Sequence, residues 1–201
     1  MEIPSDISYW INEIKQGHDV WKAFYWACWN RGENLKIDCK DYDWNKSIVS
    51  LPLPASGEPP RPYTIRNLHK ILTQSDHRIA VNHLIWMHLL IESLANKVKH
   101  IDGIKEPNGD LGDINVLSNF LIINSFMEKN DELDFKFSKY TRNQFVHGFS
   151  KYKKEWIDMS VLLKTKSYFE HDGTIHLDVQ DCEKWQKIFE KIGLEIEKRY
   201  I

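Results

Sequence analysis

The sequence predicts a mainly α-helical single domain, and three observations carry that expectation. The segment Ile79 to Ala95 is a long apolar run whose polar interruptions, Asn82, His83, His88 and Glu92, suit a buried central helix better than a membrane span. Near the end of the chain, Trp185, Phe189, Ile192, Ile196 and Tyr200 recur at helical spacing. The 201 residues are 42% hydrophobic and 28% charged, which fits one globular unit, 1–201, with a sizeable core.

Taken in order, Ser5 or Asp6 caps a first short helix, and a second runs from about Asp19 to Arg31. The second helix carries Trp21, Phe24, Tyr25, Trp26 and Trp29 around most of its circumference, so burial on more than one side is expected. Residues 33 to about 63 read as a long irregular excursion. Five of the seven prolines fall between Pro52 and Pro62, where they remove backbone donors and block helix, so this Pro-rich loop is either ordered or an exposed lid. Helices follow over about 64–73 and 75–100. Pro107, Asn108 and Gly109 mark a turn, and helices resume over about 114–128 and from Asp134 into the 150s. Val161 to Phe169 and Ile175 to Val179 read as two strands joined at Asp172-Gly173, a small β-hairpin near 161–179.

Composition excludes several classes of partner. The net charge of −2, with nine histidines counted neutral, gives no global basic field, so any nucleic-acid contact must come from a local patch. Cys28, Cys39 and Cys182 are odd in number and match no zinc spacing; reduced, mostly buried thiols in a cytoplasmic setting are the expectation. The segment MEIPSDISYW has neither the basic nor the apolar region of a signal peptide. No membrane partner is expected.

The segment Arg142-Asn143-Gln144-Phe145-Val146-His147-Gly148 concentrates the chemistry. At about 100° per residue, Phe145, Phe149, Tyr152 and Trp156 fall within about 60° of one another and form a core stripe. Asn143 and His147 are an i, i+4 pair on another face. Arg142 lies about 140° from His147, with Val146, Ser150 and Lys153 in the arc between them. One helix does not converge Arg142 and His147 on a single small atom. Two copies across a two-fold axis bring two of each around one phosphate.

These residues resemble the active-site motif of HEPN-domain ribonucleases, in which an arginine with a polar neighbour precedes a histidine by four to six residues. Here the match is Arg142, Asn143, three further residues, then His147 with Gly148 behind it. The resemblance covers residues 64–201, and Leu90 to Asn96 looks like the acid-bearing earlier helix of such domains, giving Glu92 a supporting role beside Arg142. It implies a HEPN-like antiparallel helical bundle and a homodimer with a composite active site. It further implies metal-independent RNA cleavage with no cofactor and no metal ligands. A toxin or anti-phage defence role, with an antitoxin or regulatory partner, belongs to the same implication.

The chemistry fits the residue types. RNA carries its own nucleophile, the ribose 2′-hydroxyl beside the scissile phosphate. A histidine titrating near neutrality takes that proton or protonates the 5′-oxygen leaving group. An arginine holds the phosphate bidentately and stabilises its growing charge. Asn143 orients one or the other. The expected products are a 2′,3′-cyclic phosphate and a 5′-hydroxyl. Lys151, Lys153 and Lys154, within two turns of His147, are candidate RNA contacts.

Other readings stand beside this one. The same fold and surface suit a non-catalytic nucleotide-binding or protein-interaction module. His88 and Glu92 share an i, i+4 face with His83 nearby, the beginning of a metal site without an evident third ligand. The aromatic run Trp21 to Trp29 serves core packing, dimer packing or base stacking; with few basic residues interleaved, packing is the stronger reading.

Overall fold

Period-3.5 spacing builds the first element as one helix rather than two. In the computed structural model, which describes residues 5–51, 61–74, 76–147, 153–163, 177 and 179–199, α1 runs unbroken over Ser5–Asp38. Its packed side is the series Ile7, Ile11, Ile14, His18, Trp21, Tyr25, Cys28, Gly32 and Leu35, with intervals of four and three that pass straight through Gly17. The expected break at residues 17–19 is therefore absent. At about 1.5 Å per residue the helix is about 51 Å long.

The expected loop at 33–63 is also shorter than its composition implied. Its first six residues complete α1, and turns lead to β1 (Ile48–Leu51), which pairs antiparallel with β2 (Arg61–Thr64). The prolines of 52–60 lie outside the described residues. Thr64 caps α2 (Ile65–Thr73) through its hydroxyl, which accepts from the Asn67 backbone N–H at 3.2 Å.

Helix α3 (Asp76–Val98) is the centre of the bundle. Leu84, Met87, Leu90, Ile91 and Leu94 are all buried, because α1, α7 (Val179–Lys198) and α5 (Glu132–His147) pack on different sides of it. Cross-contacts give the directions. Gly17 and Asp6 of α1 meet Met87 and Lys97, and Phe145 and Ser138 of α5 meet His77 and His88, so α1 and α5 both run antiparallel to α3. Helix α4 (Ile114–Ile123) stops five residues short of expectation. Ser125 turns left-handed with φ of 62°, and Asn124 bonds the Lys105 backbone through both its amide ends.

Two further expectations give way. The wheel joining Phe145 to Trp156 assumes one helix. Instead the Trp156 indole donates to the Thr141 hydroxyl at 2.8 Å, although on a continuous helix these residues would be about 22 Å apart. Trp156 belongs to α6 (Lys153–Leu162), folded back on α5. Residues 148–152 lie outside the described residues. Of the expected hairpin at 161–179, Val161 and Leu162 complete α6 and Val179 opens α7. Trp156, Met159, Ser160 and Leu163 supply a helical packing stripe that overrides the β-propensity of Val161. Residues 164–176 lie outside the described residues.

The middle of α1 departs from expectation in another way. No side chain from His18 to Arg31 is fully buried, and Phe24 and Trp26 are each about half exposed. One chain covers this aromatic run on one side only. Of the three cysteines, Cys182 alone is buried; Cys28 and Cys39 are half-buried, and all three are free. Among the described residues no helix is long and apolar enough to cross a membrane.

Candidate functional site

Helix α5 carries the motif and is covered on nearly every side. Phe135 and Phe137 are buried, as apolar residues should be, but so are Ser138, Lys139, Thr141, Asn143 and Gln144. Such polar burial requires partners. Thr141 donates to the Phe137 carbonyl at 2.8 Å and accepts the Trp156 indole N–H. Ser138 donates to the Phe135 carbonyl at 2.7 Å, so its oxygen accepts from His88 Nε2 at 2.9 Å. That fixes the His88 proton on Nε2 and leaves Nδ1 buried without a partner. Burial holds His88 well below its ordinary pKa of 6.5, and the charges of Lys139 and Arg142 act in the same direction.

Lys139 is the buried cation of the site. Its ammonium donates to Glu92 Oε1 at 2.8 Å and to the Gly112 carbonyl at 2.9 Å. Glu92, expected beside Arg142, is instead paired with Lys139. Antiparallel register is the reason. With His88 opposite Ser138, the level of Arg142 falls near residue 84 of α3, about 12 Å along the axis from Glu92.

Arg142 is half-buried one turn beyond Lys139. It donates from Nη1 to Asn143 Oδ1 at 2.8 Å, its Nε is buried without a partner, and no carboxylate among the described residues pairs with it. Asn143 is 8% exposed, whereas Val146, in the arc between Arg142 and His147, is 43% exposed. His147 is the last residue of α5. Phe145 is half-buried, with its ring edge-on to His77 at 5.3 Å. Of the expected RNA-contacting lysines, Lys154 is exposed on α6, Lys153 opens that helix, and Lys151 lies outside the described residues.

Gln144 is the residue that pattern reading missed. It is 1% exposed, and neither its oxygen nor its nitrogen has a partner. It looks like an ordinary polar position between Asn143 and Phe145, and only the all-round burial of α5 makes it unusual. Sequence reading also missed the buried Lys139, whose signal was its one-turn spacing from Arg142.

The metal reading finds no support in geometry: His88 is bonded to Ser138, Glu92 is paired with Lys139, and among the described residues no group of three or more ligating side chains converges. No protein-family model, curated protein or solved structure matches the chain.

Proposed function

We propose that the chain is a metal-independent endoribonuclease of the HEPN type, with Arg142 and His147 as its catalytic residues and Asn143 as a positioning residue. The observation that carries this reading is the state of Arg142. A half-buried guanidinium with no carboxylate partner among the described residues, one edge held by the Asn143 oxygen, stands five residues before a terminal histidine. A semi-buried cation without a counter-ion is poised for an anion, and a phosphodiester supplies one.

In the reaction so read, the 2′-oxygen attacks phosphorus as its proton leaves, and the bond from phosphorus to the 5′-oxygen breaks as that oxygen gains a proton. His147 serves one of these transfers. Arg142 holds the non-bridging oxygens as charge builds on them. The second proton-transfer group comes from a second copy across a two-fold axis, in keeping with the resemblance.

The test is cleavage of single-stranded RNA in excess EDTA by the parent protein and by Arg142→Ala and His147→Ala proteins of unchanged thermal unfolding. We expect cyclic-phosphate ends from the parent and losses of about 10²–10⁴-fold in each variant. Equal cleavage by parent and His147→Ala would refute the assignment. Intact RNA with measurable nucleotide binding would favour the non-catalytic module instead.

A further inference from the structure

A second basic segment of this chain lies well before the motif in sequence. Residues 61–78, RPYTIRNLHKILTQSDHR, hold four arginines and lysines against one carboxylate, in a chain whose net charge is −2. Helix α2 turns its Ile65 and Leu68 into the core. The opposite face presents Asn67, Lys70, Ile71 and Gln74 at i, i+3, i+4 and i+7. The chain then bends into α3, which brings Arg78 to that face, and β2 supplies Tyr63 at the other end. Together these six residues line a cleft of about 340 Å³.

The lining has a consistent chemistry. Among the described residues it holds two cations, two amides, a phenol ring and one exposed aliphatic side chain, with no carboxylate. Neither Lys70 nor Arg78 forms an ion pair with a described residue, whereas Lys184, Lys191 and Lys198 of α7 each lie against an acid. The volume falls in the range of small-molecule sites and suits a nucleotide unit rather than a metal ion. Position links the cleft to the motif. Arg78 follows His77, whose ring packs on Phe145, and Phe145 lies two residues before His147.

We propose that this elbow between α2 and α3 is a subsite for single-stranded RNA beside the candidate catalytic end of α5. Lys70 and Arg78 hold backbone phosphate there, and Tyr63 stacks a base. Asn67 and Gln74 supply hydrogen bonds to base edges. The naming of RNA as ligand rests on the ribonuclease reading; the site itself rests on the cleft.

The experiment is fluorescence anisotropy of a labelled single-stranded 2′-O-methyl RNA, which lacks the attacking hydroxyl and stays intact. The parent protein is compared with Lys70→Gln/Arg78→Gln, with Tyr63→Ala, and with Lys97→Gln at the far end of α3 from Arg78. Thermal unfolding confirms that each is folded. We expect the double variant to bind at least about tenfold more weakly and its salt dependence to flatten by about 1.4 in the log–log slope, for two lost phosphate contacts on a single strand. Tyr63→Ala loses about five- to a hundredfold, and Lys97→Gln binds as the parent does. Competition by a nucleoside monophosphate but not by inorganic phosphate supports base stacking; equal competition by both reduces the site to a phosphate contact and overturns the stacking role.

Folded variants that bind as tightly as the parent, or a parent that does not bind, would overturn the subsite. If the subsite variants bind normally while His147→Ala abolishes cleavage, the subsite fails and the ribonuclease reading stands. If binding depends on the cleft and no cleavage occurs, the reverse holds.

Discussion

Gly17 and Gly32 both lie along the packed side of α1 and respond in opposite ways to an added methyl group. At Gly17 a Cβ would meet only the Met87 sulfur at 3.6 Å, ordinary contact. Gly17→Ala therefore stabilises the protein by about 0.5–1 kcal/mol, through the helical preference of alanine over glycine. At Gly32 a Cβ would lie 2.6 Å from the Thr73 methyl and 3.3 Å from Leu72 Cβ, where α1 crosses α2. Gly32→Ala forces those helices apart and costs about 1–2 kcal/mol net. Urea unfolding of the two variants checks the opposite signs. Residue identity in the sequence does not separate these glycines, because what surrounds each is supplied by helices about forty to seventy positions away. The same limit applies to Gln144, whose missing partners appear only when α5 is seen to be covered all round. The placement of Arg142, Asn143 and His147 on one helix was legible, because their spacing along the chain carries it.

The register of α3 against α5 decides what Glu92 does. Lys139 is almost fully buried and Glu92 is its only carboxylate partner among the described residues, so Glu92→Gln strands a cation in the interior and destabilises by about 2–4 kcal/mol. If Glu92 instead oriented Arg142, the same change would leave stability nearly intact and reduce RNA cleavage. Unfolding free energies and cleavage rates of this one variant separate the two roles. Sequence pattern placed α2, α3 and the start of α4 well, since each has a clear apolar face or a capping residue. It divided α1 in two, although one packed stripe runs the length of the helix. It read the end of α6 as strand by giving weight to Val161 over the helical spacing from Trp156 to Leu163. In α6 a local propensity worth a fraction of a kcal/mol lost to packing along a whole helix face.

Over the whole molecule, buried histidines set the response to acid. His83 of α3 is enclosed beside His18, Trp21 and α1, and burial pushes its pKa down to about 3, with the His18 charge adding to the effect. Lys22 and Glu183 face His18 from α1 and α7. In the unfolded chain His83 returns to an ordinary value near 6.5. The unfolded state thus binds more protons, and the stability that neutral His83 contributes is complete above about pH 6.5 and falls as pH drops toward about 3. His88 shifts in the same direction. His83→Gln should lose about 2 kcal/mol less stability than the parent between about pH 7 and about pH 5, measured by urea unfolding. None of this was legible from composition, which counts nine histidines without saying which are enclosed. One further consequence lies in the partnership of α1 with α7. The Ile14 carbonyl accepts from Gln186, and Lys15 pairs with Glu197 at 2.6 Å. These contacts span 172 and 182 positions. At synthesis rates of about 5–20 residues per second, roughly 10–30 s separates the emergence of Ile11 and Ile14 from that of the helix that closes over them. During translation α1 leaves the ribosome well before α7, and the part of its isoleucine stripe that α7 covers, at Ile11 and Ile14, stays open to chaperones until that helix arrives.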